Sequence, residues 1–432
     1  MLLRLRWSLT LFIFLSFQAL AQDEIDSIRQ RIFLIGDAGD LHSSKHPVVD
    51  WLIQNGNIDD ERNLFLYMGD NIYPYGLPFK GEASYDYSKQ ILDYQISLVK
   101  DKKAQAIFIP GNHDWKNGKI GGWQQVKNQV DYINTLDMKN VEAWPQDGCP
   151  GPVEIKLNDS VVLVLLDSQW WLHLHEKPGP ESKCEFKTED QVITALEEIA
   201  ESNKDNLMIV AMHHPMYSYG VHGGNYTLRH HLFPLTEIVP WLYIPLPGLG
   251  SVYPVSRGIF GNIQDVKHPM YRTMINEIEN VLENHPNAIH VSGHDHSLQL
   301  LEKDSVSYIV SGTGTDISRV KNGKLTKFAA LNYGFATLEI RKSGKVETKF
   351  YTIGSKGMDD PVFSQQMKQI VKQEPAAPYV RIVALPDSVK VAANPDLKGN
   401  FFKNLMFGKN YREEWITPIK VRVLDISKDK GG

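Results

Sequence analysis

Short apolar runs recur along the chain at residues 32–35, 64–68, 106–109, 161–166, 207–212, 288–291 and 308–310. Helical patterns lie between several of them, at residues 48–53, 88–99, 123–133, 192–199 and 271–282. This alternation predicts an α/β fold with largely buried strands. Residues 334–340 and 345–352 carry the shorter alternation of antiparallel strands.

Three segments depart from that pattern. Residues 232–262 include Val239-Pro240-Trp241-Leu242-Tyr243-Ile244-Pro245-Leu246-Pro247-Gly248, which is apolar, rich in Pro and Gly, and periodic in neither sense. A structureless loop this long inside a compact domain is usually functional or folded on itself. It is expected to act as a lid that shapes a pocket, or to lie near a membrane. From about residue 361 the character changes: residues 371–378 are polar and Pro-containing and short strand-like pieces follow, which suggests a small C-terminal extension over 361–432, β-rich or partly ordered, beyond a main domain of 22–360. At the other end, Arg4 and Arg6 precede an apolar stretch at 11–17 and then Ala19-Leu20-Ala21. That is the order of a signal peptide over 1–21, cleaved before Gln22, and it implies export to the periplasm, the cell envelope or the medium.

Composition narrows the classes. The chain has 432 residues, 42% of them hydrophobic, and a formal charge of -5, which argues against a general nucleic-acid binder. A local cluster of cations can still hold an anion whatever the global charge. Cys149 and Cys184 are the two cysteines, and in an exported chain an even pair favours a disulfide.

The chemistry lies where the runs end. Residues 32–35 run into Gly36-Asp37, and residues 64–68 into Gly69-Asp70-Asn71-Ile72-Tyr73. Residues 106–109 run into Pro110-Gly111-Asn112-His113-Asp114, and residues 207–212 into His213-His214-Pro215. Residues 288–291 run into Ser292-Gly293-His294-Asp295-His296. Sites in open α/β sheets form outside the carboxyl ends of the strands, so these endings are expected to converge. A glycine before each of several ligand types permits a sharp turn and close approach. Carboxylates, a carboxamide oxygen, imidazoles and a phenol suit hard or borderline metals. Singly each motif is weak; together, in this order, they are strong.

This series resembles the calcineurin-like metallophosphoesterase superfamily over residues 30–352, and within it the purple acid phosphatases of the small tartrate-resistant type. The resemblance implies a four-layer sandwich: two mixed β-sheets flanked by helices, with the metal site at strand C-terminal ends. The general pattern places a His two residues after the first Asp, where this chain has Gly39. Purple acid phosphatases instead use a Tyr three residues after the bridging Asp, and Tyr73 stands there. The resemblance then gives one metal to Asp37, Asp70, Tyr73 and His296. It gives a second to Asp70, Asn112, His213 and His294, with Asp70 bridging. His113 and His222 take catalytic roles, His222 by its spacing of nine residues from His213.

What the resemblance implies is hydrolysis of a small phosphorylated substrate by metal-bound hydroxide. The metals it implies are Fe(III) with Fe(II), Zn(II) or Mn(II). Phosphate monoesters are the leading substrate class. The alternatives are a phosphodiesterase acting on nucleotides or lipid headgroups, and a non-catalytic recognition module of the envelope. His173 and His175, near Trp170 and Trp171, are expected to pack rather than to line the pocket, and His214, His230 and His231 carry no assigned role.

Overall fold

The computed structural model describes residues 26–224, 232–233, 235, 241–251, 261–370, 382–384 and 421–423. The expected signal segment, His230, His231 and much of the 232–262 loop lie outside the described residues.

Two seven-stranded sheets form the body. In the first, β1 (Ile28–Ile35), β2 (Asn63–Met68), β3 (Gln105–Ile109) and β4 (Val141–Ala143) run parallel. The antiparallel meander β12 (Gly334–Arg341), β13 (Lys345–Thr352) and β14 (Phe363–Gln369) extends it from the far side of β1. In the second sheet, β6 (Val161–Leu165), β7 (Leu207–Ala211), β8 (Ala288–Ser292) and β10 (Val306–Ser311) are parallel. The strands β5 (Val153–Asn158), β9 (Leu298–Lys303) and β11 (Thr326–Ala330) run antiparallel to their neighbours.

The apolar runs are continuous because both faces of these strands are covered. Side chains alternate faces along a strand, so Ile32 and Leu34 of β1 join Leu64, Leu66, Ile209 and Val291 in the layer between the sheets. Phe33 and Ile35 join Phe65, Tyr67 and Leu52 in the layer under the helices. Helices flank both sheets: α1 (Pro47–Asn55), α2 (Tyr85–Ile96) and α3 (Gly122–Thr135) arise between strands of the first. The second sheet carries α4 (Ser168–Leu172), α5 (Glu189–Ser202) and α6 (Pro269–Glu283). The mixed α/β architecture is therefore two mixed sheets flanked by helices. The helix expected over 88–99 begins at Tyr85 and ends at Ile96, where the chain turns. His46 caps α1, accepting from Val49 N at Nδ1, with Pro47 in the first helical position.

Contacts divide the chain into Met1–Lys372 and Gln373–Gly432. Strand β14 belongs to the first sheet, so the boundary expected at residue 361 falls just before a strand of the main body. Within the second unit the described residues form one antiparallel pair, β15 (Ile382–Ala384) with β16 (Val421–Val423). Cys149 and Cys184 form a disulfide that closes a 35-residue separation.

Candidate metal centre

The parallel strands of both sheets end at one place. β1, β2 and β3 deliver Asp37, Asp70 and Asn112, while β7 and β8 deliver His213 and His294. Asp37, Asp70 and His294 hold left-handed backbone conformations, with φ of 56°, 53° and 67°. Such conformations are rare for residues with a Cβ and cluster at functional sites. The adjacent glycines serve close approach. A Cβ on Gly111 would stand 2.3 Å from Asp70 Oδ1, and one on Gly293 would stand 2.6 Å from Asp37 Oδ2.

All seven side chains expected to bind metal are brought together, in two adjoining groups. In the first, Tyr73 Oη lies 3.1 Å from Asp37 Oδ1 and 3.2 Å from His296 Nε2, and His296 Nε2 lies 3.3 Å from Asp37 Oδ1. In the second, Asn112 Oδ1 lies 3.0 Å from both His213 Nε2 and His294 Nδ1, which are 3.2 Å apart. Asp70 Oδ1 lies 3.4 Å from His213 Nε2, and one donor atom each of Asp37, Asp70 and His213 falls within 4.8 Å of the others. Asp70 thus stands where the groups meet.

The surrounding hydrogen bonds aim these atoms inward. Met68 O takes His213 Nδ1 at 2.9 Å, leaving Nε2 inward. Gln264 O takes His294 Nε2 at 2.8 Å, leaving Nδ1 inward. Asn112 donates its amide to Asn117 Oδ1 at 3.3 Å, which turns its oxygen toward the imidazoles. His296 Nδ1 lies 3.2 Å from Asp316 Oδ2. Such outer partners fix the tautomer and orientation of metal-binding histidines.

The donor set fits two cations. Burial and three neighbouring imidazoles hold His294 well below the usual histidine range, and with its hydrogen on Nε2 toward Gln264 O, its Nδ1 lone pair and the Asn112 oxygen face one another as two acceptors that a shared cation would satisfy. Burial also opposes charge on His213, yet the carboxylates of Asp70 and Asp37 push it up to about 9. The cluster therefore calls for positive charge, which a proton or a cation can supply. Ligands bound at roughly 2.1 Å are separated by about 3.0–3.4 Å around an ion, which matches the spacings within both groups. Tyr73 makes the same demand. Burial, with Asp37, Asp70 and Asp316 close by, drives its phenol well above the usual range, so a phenolate there needs a cation beside it.

Two part-exposed imidazoles flank the donors. His113 sends Nδ1 to Pro74 O at 2.7 Å and has Nε2 3.9 Å from Asp70 Oδ2. The ring of His222 lies 4.0 Å from that of His294, and its Nδ1 meets Asp265 Oδ1 at 3.0 Å. His214 also neighbours His213 and His294. Both its ring nitrogens are occupied, by Ser168 Oγ at 2.8 Å and Gln264 Oε1 at 2.6 Å, so it supports the site from behind. His173 is buried against Trp115, and His175 packs edge-on to His173.

Sequence reasoning missed Gln264, Asp265, Asn117 and Asp316. Asp316 follows Gly312-Thr313-Gly314-Thr315 after β10, a strand ending of the kind that marked the other ligands. The others carry no comparable local signal. Asp114 was read only as part of its motif; it accepts from the backbone nitrogens of Gly111, Asn71 and Ile72 and so ties the β2 and β3 endings together. Of the 232–262 loop, the described Trp241, Tyr243, Ile244 and Leu249 are exposed, and just after it Gln264 and Asp265 reach the centre. Among the described residues no helix is long and apolar enough to cross a membrane.

Residues 31–312 match the family model described as calcineurin-like phosphoesterase. No curated protein sequence matches the chain. Three solved structures are similar at low identity. GAP50, the anchor in the inner membrane complex of Plasmodium, is 15% identical over 80% of this chain and 91% of its own, with a TM-score of 0.49. The purple acid phosphatase PPD1 from yellow lupin (Lupinus luteus) seeds is 13% identical over 78% of this chain and 53% of its own, with a TM-score of 0.48. PhoD is 9% identical over 80% of this chain and 71% of its own, with a TM-score of 0.47.

Proposed function

Because this chain belongs to the calcineurin-like phosphoesterase family, and so to the metal-dependent phosphoester hydrolases, we propose that it hydrolyses phosphate monoesters outside the cytoplasm. The observation that carries this reading is the meeting of two donor groups at Asp70, with His113 and His222 on either side. Asp37, Asp70, Tyr73 and His296 would hold one cation; Asp70, Asn112, His213 and His294 would hold the other. When bound, such a pair supplies charge neutralisation and an activated water for attack on phosphorus.

The chain's own residues do the rest. His113, its Nδ1 fixed by Pro74 O, turns Nε2 toward the donor groups and is suited to hold a phosphoryl oxygen. His222 is suited to protonate the leaving oxygen, a role general acids fill when within hydrogen-bond reach. A terminal phosphate has one leaving oxygen and three free oxygens, which suits this division. Tyr73 at the position of the phenolate ligand favours the purple acid phosphatase type, with Fe(III) in its group and Fe(II), Zn(II) or Mn(II) in the other. The Cys149–Cys184 bridge supports an oxidising compartment and so export.

The test is turnover of a chromogenic phosphomonoester beside the matching diester, before and after treatment with chelator. Faster monoester turnover, lost on chelation and restored by metal, is expected. Preference for the diester overturns the monoester assignment. Absence of turnover on both, with metal bound, overturns the enzyme.

A further inference from the structure

The turn that begins at Gly261 places a buried carboxylate behind a part-exposed imidazole. The His222 side chain is 23% exposed, whereas that of Asp265 is 1% exposed. Nδ1 of His222 lies 3.0 Å from Asp265 Oδ1. An ionised carboxylate only accepts, so the facing nitrogen carries the hydrogen. Nε2 is then the nitrogen without a partner among the described residues.

Both partners are held from several sides. Asp265 Oδ2 accepts from Asn262 N at 2.8 Å, and Asp265 O accepts from His268 N at 2.9 Å. The His222 carbonyl accepts from Val266 N at 3.0 Å, and His222 N donates to Asp295 Oδ1 at 3.4 Å. The neighbouring Gln264 meanwhile accepts from His294. One short turn therefore sets both a metal-group imidazole and the imidazole beside it. His113 differs, because its Nδ1 is held by a peptide carbonyl.

We propose that Asp265 is a positioning residue, which fixes the orientation and tautomer of His222 so that Nε2 meets the leaving oxygen of the substrate. This rests on the reading of His222 as proton donor. As the bond from phosphorus to the leaving oxygen breaks, the proton on Nε2 passes to that oxygen. His222 is left as the neutral Nδ1–H imidazole, still bonded to Asp265. An amide at position 265 can offer its N–H₂ to Nδ1 and stabilise the opposite tautomer, while a glutamate keeps an acceptor there.

The experiment measures kcat/KM over phosphomonoesters of graded leaving-group pKa, with metal content by elemental analysis. It compares wild type, Asp265→Asn, Asp265→Glu, His222→Ala and the His222→Ala/Asp265→Asn double variant. In Asp265→Asn we expect a loss of roughly 10²-fold for alkyl esters and little for activated aryl esters, at unchanged metal content. Asp265→Glu should recover part of that loss, and the double variant should be no slower than His222→Ala, since a positioning residue has nothing left to position. A loss equal for all esters, a loss of metal, or additive losses in the double variant would each overturn the proposal. Failure of the underlying reading looks different: wild type turns over no ester, or His222→Ala shows no dependence on the leaving group.

Discussion

Part-buried His296 pairs with the more exposed Asp316, Nδ1 and Oδ2 3.2 Å apart, on the side of the imidazole away from Asp37. The carboxylate holds the hydrogen on Nδ1 and leaves Nε2 for a cation. Outer partners of this kind are typically worth 10–100-fold in metal affinity. Asp316→Ala should therefore weaken the group of Asp37, Tyr73 and His296 by roughly that factor, and weaken the Asn112, His213 and His294 group much less. Metal retained after dialysis against graded chelator, read by elemental analysis, checks this. Equal loss from both groups would mean that Asp316 acts on the whole fold.

Tyr73 gives a visible readout. Its phenol is part-buried with Asp37, Asp70 and Asp316 close by and resists ionisation, so a phenolate there reports a strongly charged cation in contact with it. With Fe(III), phenolate-to-metal charge transfer should colour the oxidised protein. Tyr73→Phe should bleach that band and leave the far-ultraviolet circular dichroism unchanged. A colourless wild type that contains iron would remove Tyr73 from the ligand set.

Much of the centre was legible because buried parallel strands write themselves as unbroken apolar runs, and their ends mark the site. Asp37, Asp70, Asn112, His213 and His294 each follow such a run. Asp265 was not legible: it meets His222 across 43 residues, from a turn with no apolar run before it in the sequence. Asp316 had a strand before it, but its role comes from facing His296 and not from a motif. The edge strand β14, with sequence FSQQMKQ, falls in the segment expected to be a small β-rich or partly ordered extension, and its place in the first sheet was not legible. Phe363 and Met367 pack against the layer between the sheets, while its alternate positions are polar, so composition alone resembles a linker. Edge strands need only one apolar face, and a short one leaves little periodic signal.

The disulfide carries a stability prediction. Cys149 precedes β5, and Cys184 lies in the long segment between α4 and α5, so the bridge closes a loop across 35 positions. Chain-entropy arguments give about 3–4 kcal/mol for a loop of that size. Cys184→Ser should lower the free energy of unfolding by about that amount in denaturant titrations. Thiol titration of protein taken from the envelope or the medium should find no free thiol before reduction. Two free thiols there would remove the bridge as support for export.

The last prediction concerns acid. His290 lies in β8 with its side chain fully buried, and neither ring nitrogen meets a hydrogen-bond partner among the described residues. Burial pulls its imidazole from the usual 6.5 down to about 3. His46 is pulled to about 4, also by burial, and its Nδ1 must stay unprotonated to accept from Val49 and cap α1. Both groups are therefore neutral in the folded chain at pH 5, while in the unfolded chain they are largely charged. Below pH 6.5 the unfolded state binds more protons, so stability falls as pH falls, by about 1.4 kcal/mol per pH unit for each such group. Between pH 6.5 and pH 5 that amounts to roughly 2 kcal/mol from His290 alone. Loss of metal at low pH would add a separate decline, so the informative quantity is a difference between two proteins under the same chelating conditions. His290→Leu removes the titrating group and the two unpartnered nitrogens while keeping an apolar side chain of similar size. It should be more stable than wild type at pH 7, and its decline from pH 7 to pH 5 should be smaller by about 2 kcal/mol. Urea unfolding of both chains at the two pH values measures this. Identical declines would mean that the imidazole is hydrated or paired in the folded protein, and that its burial does not set the acid limit.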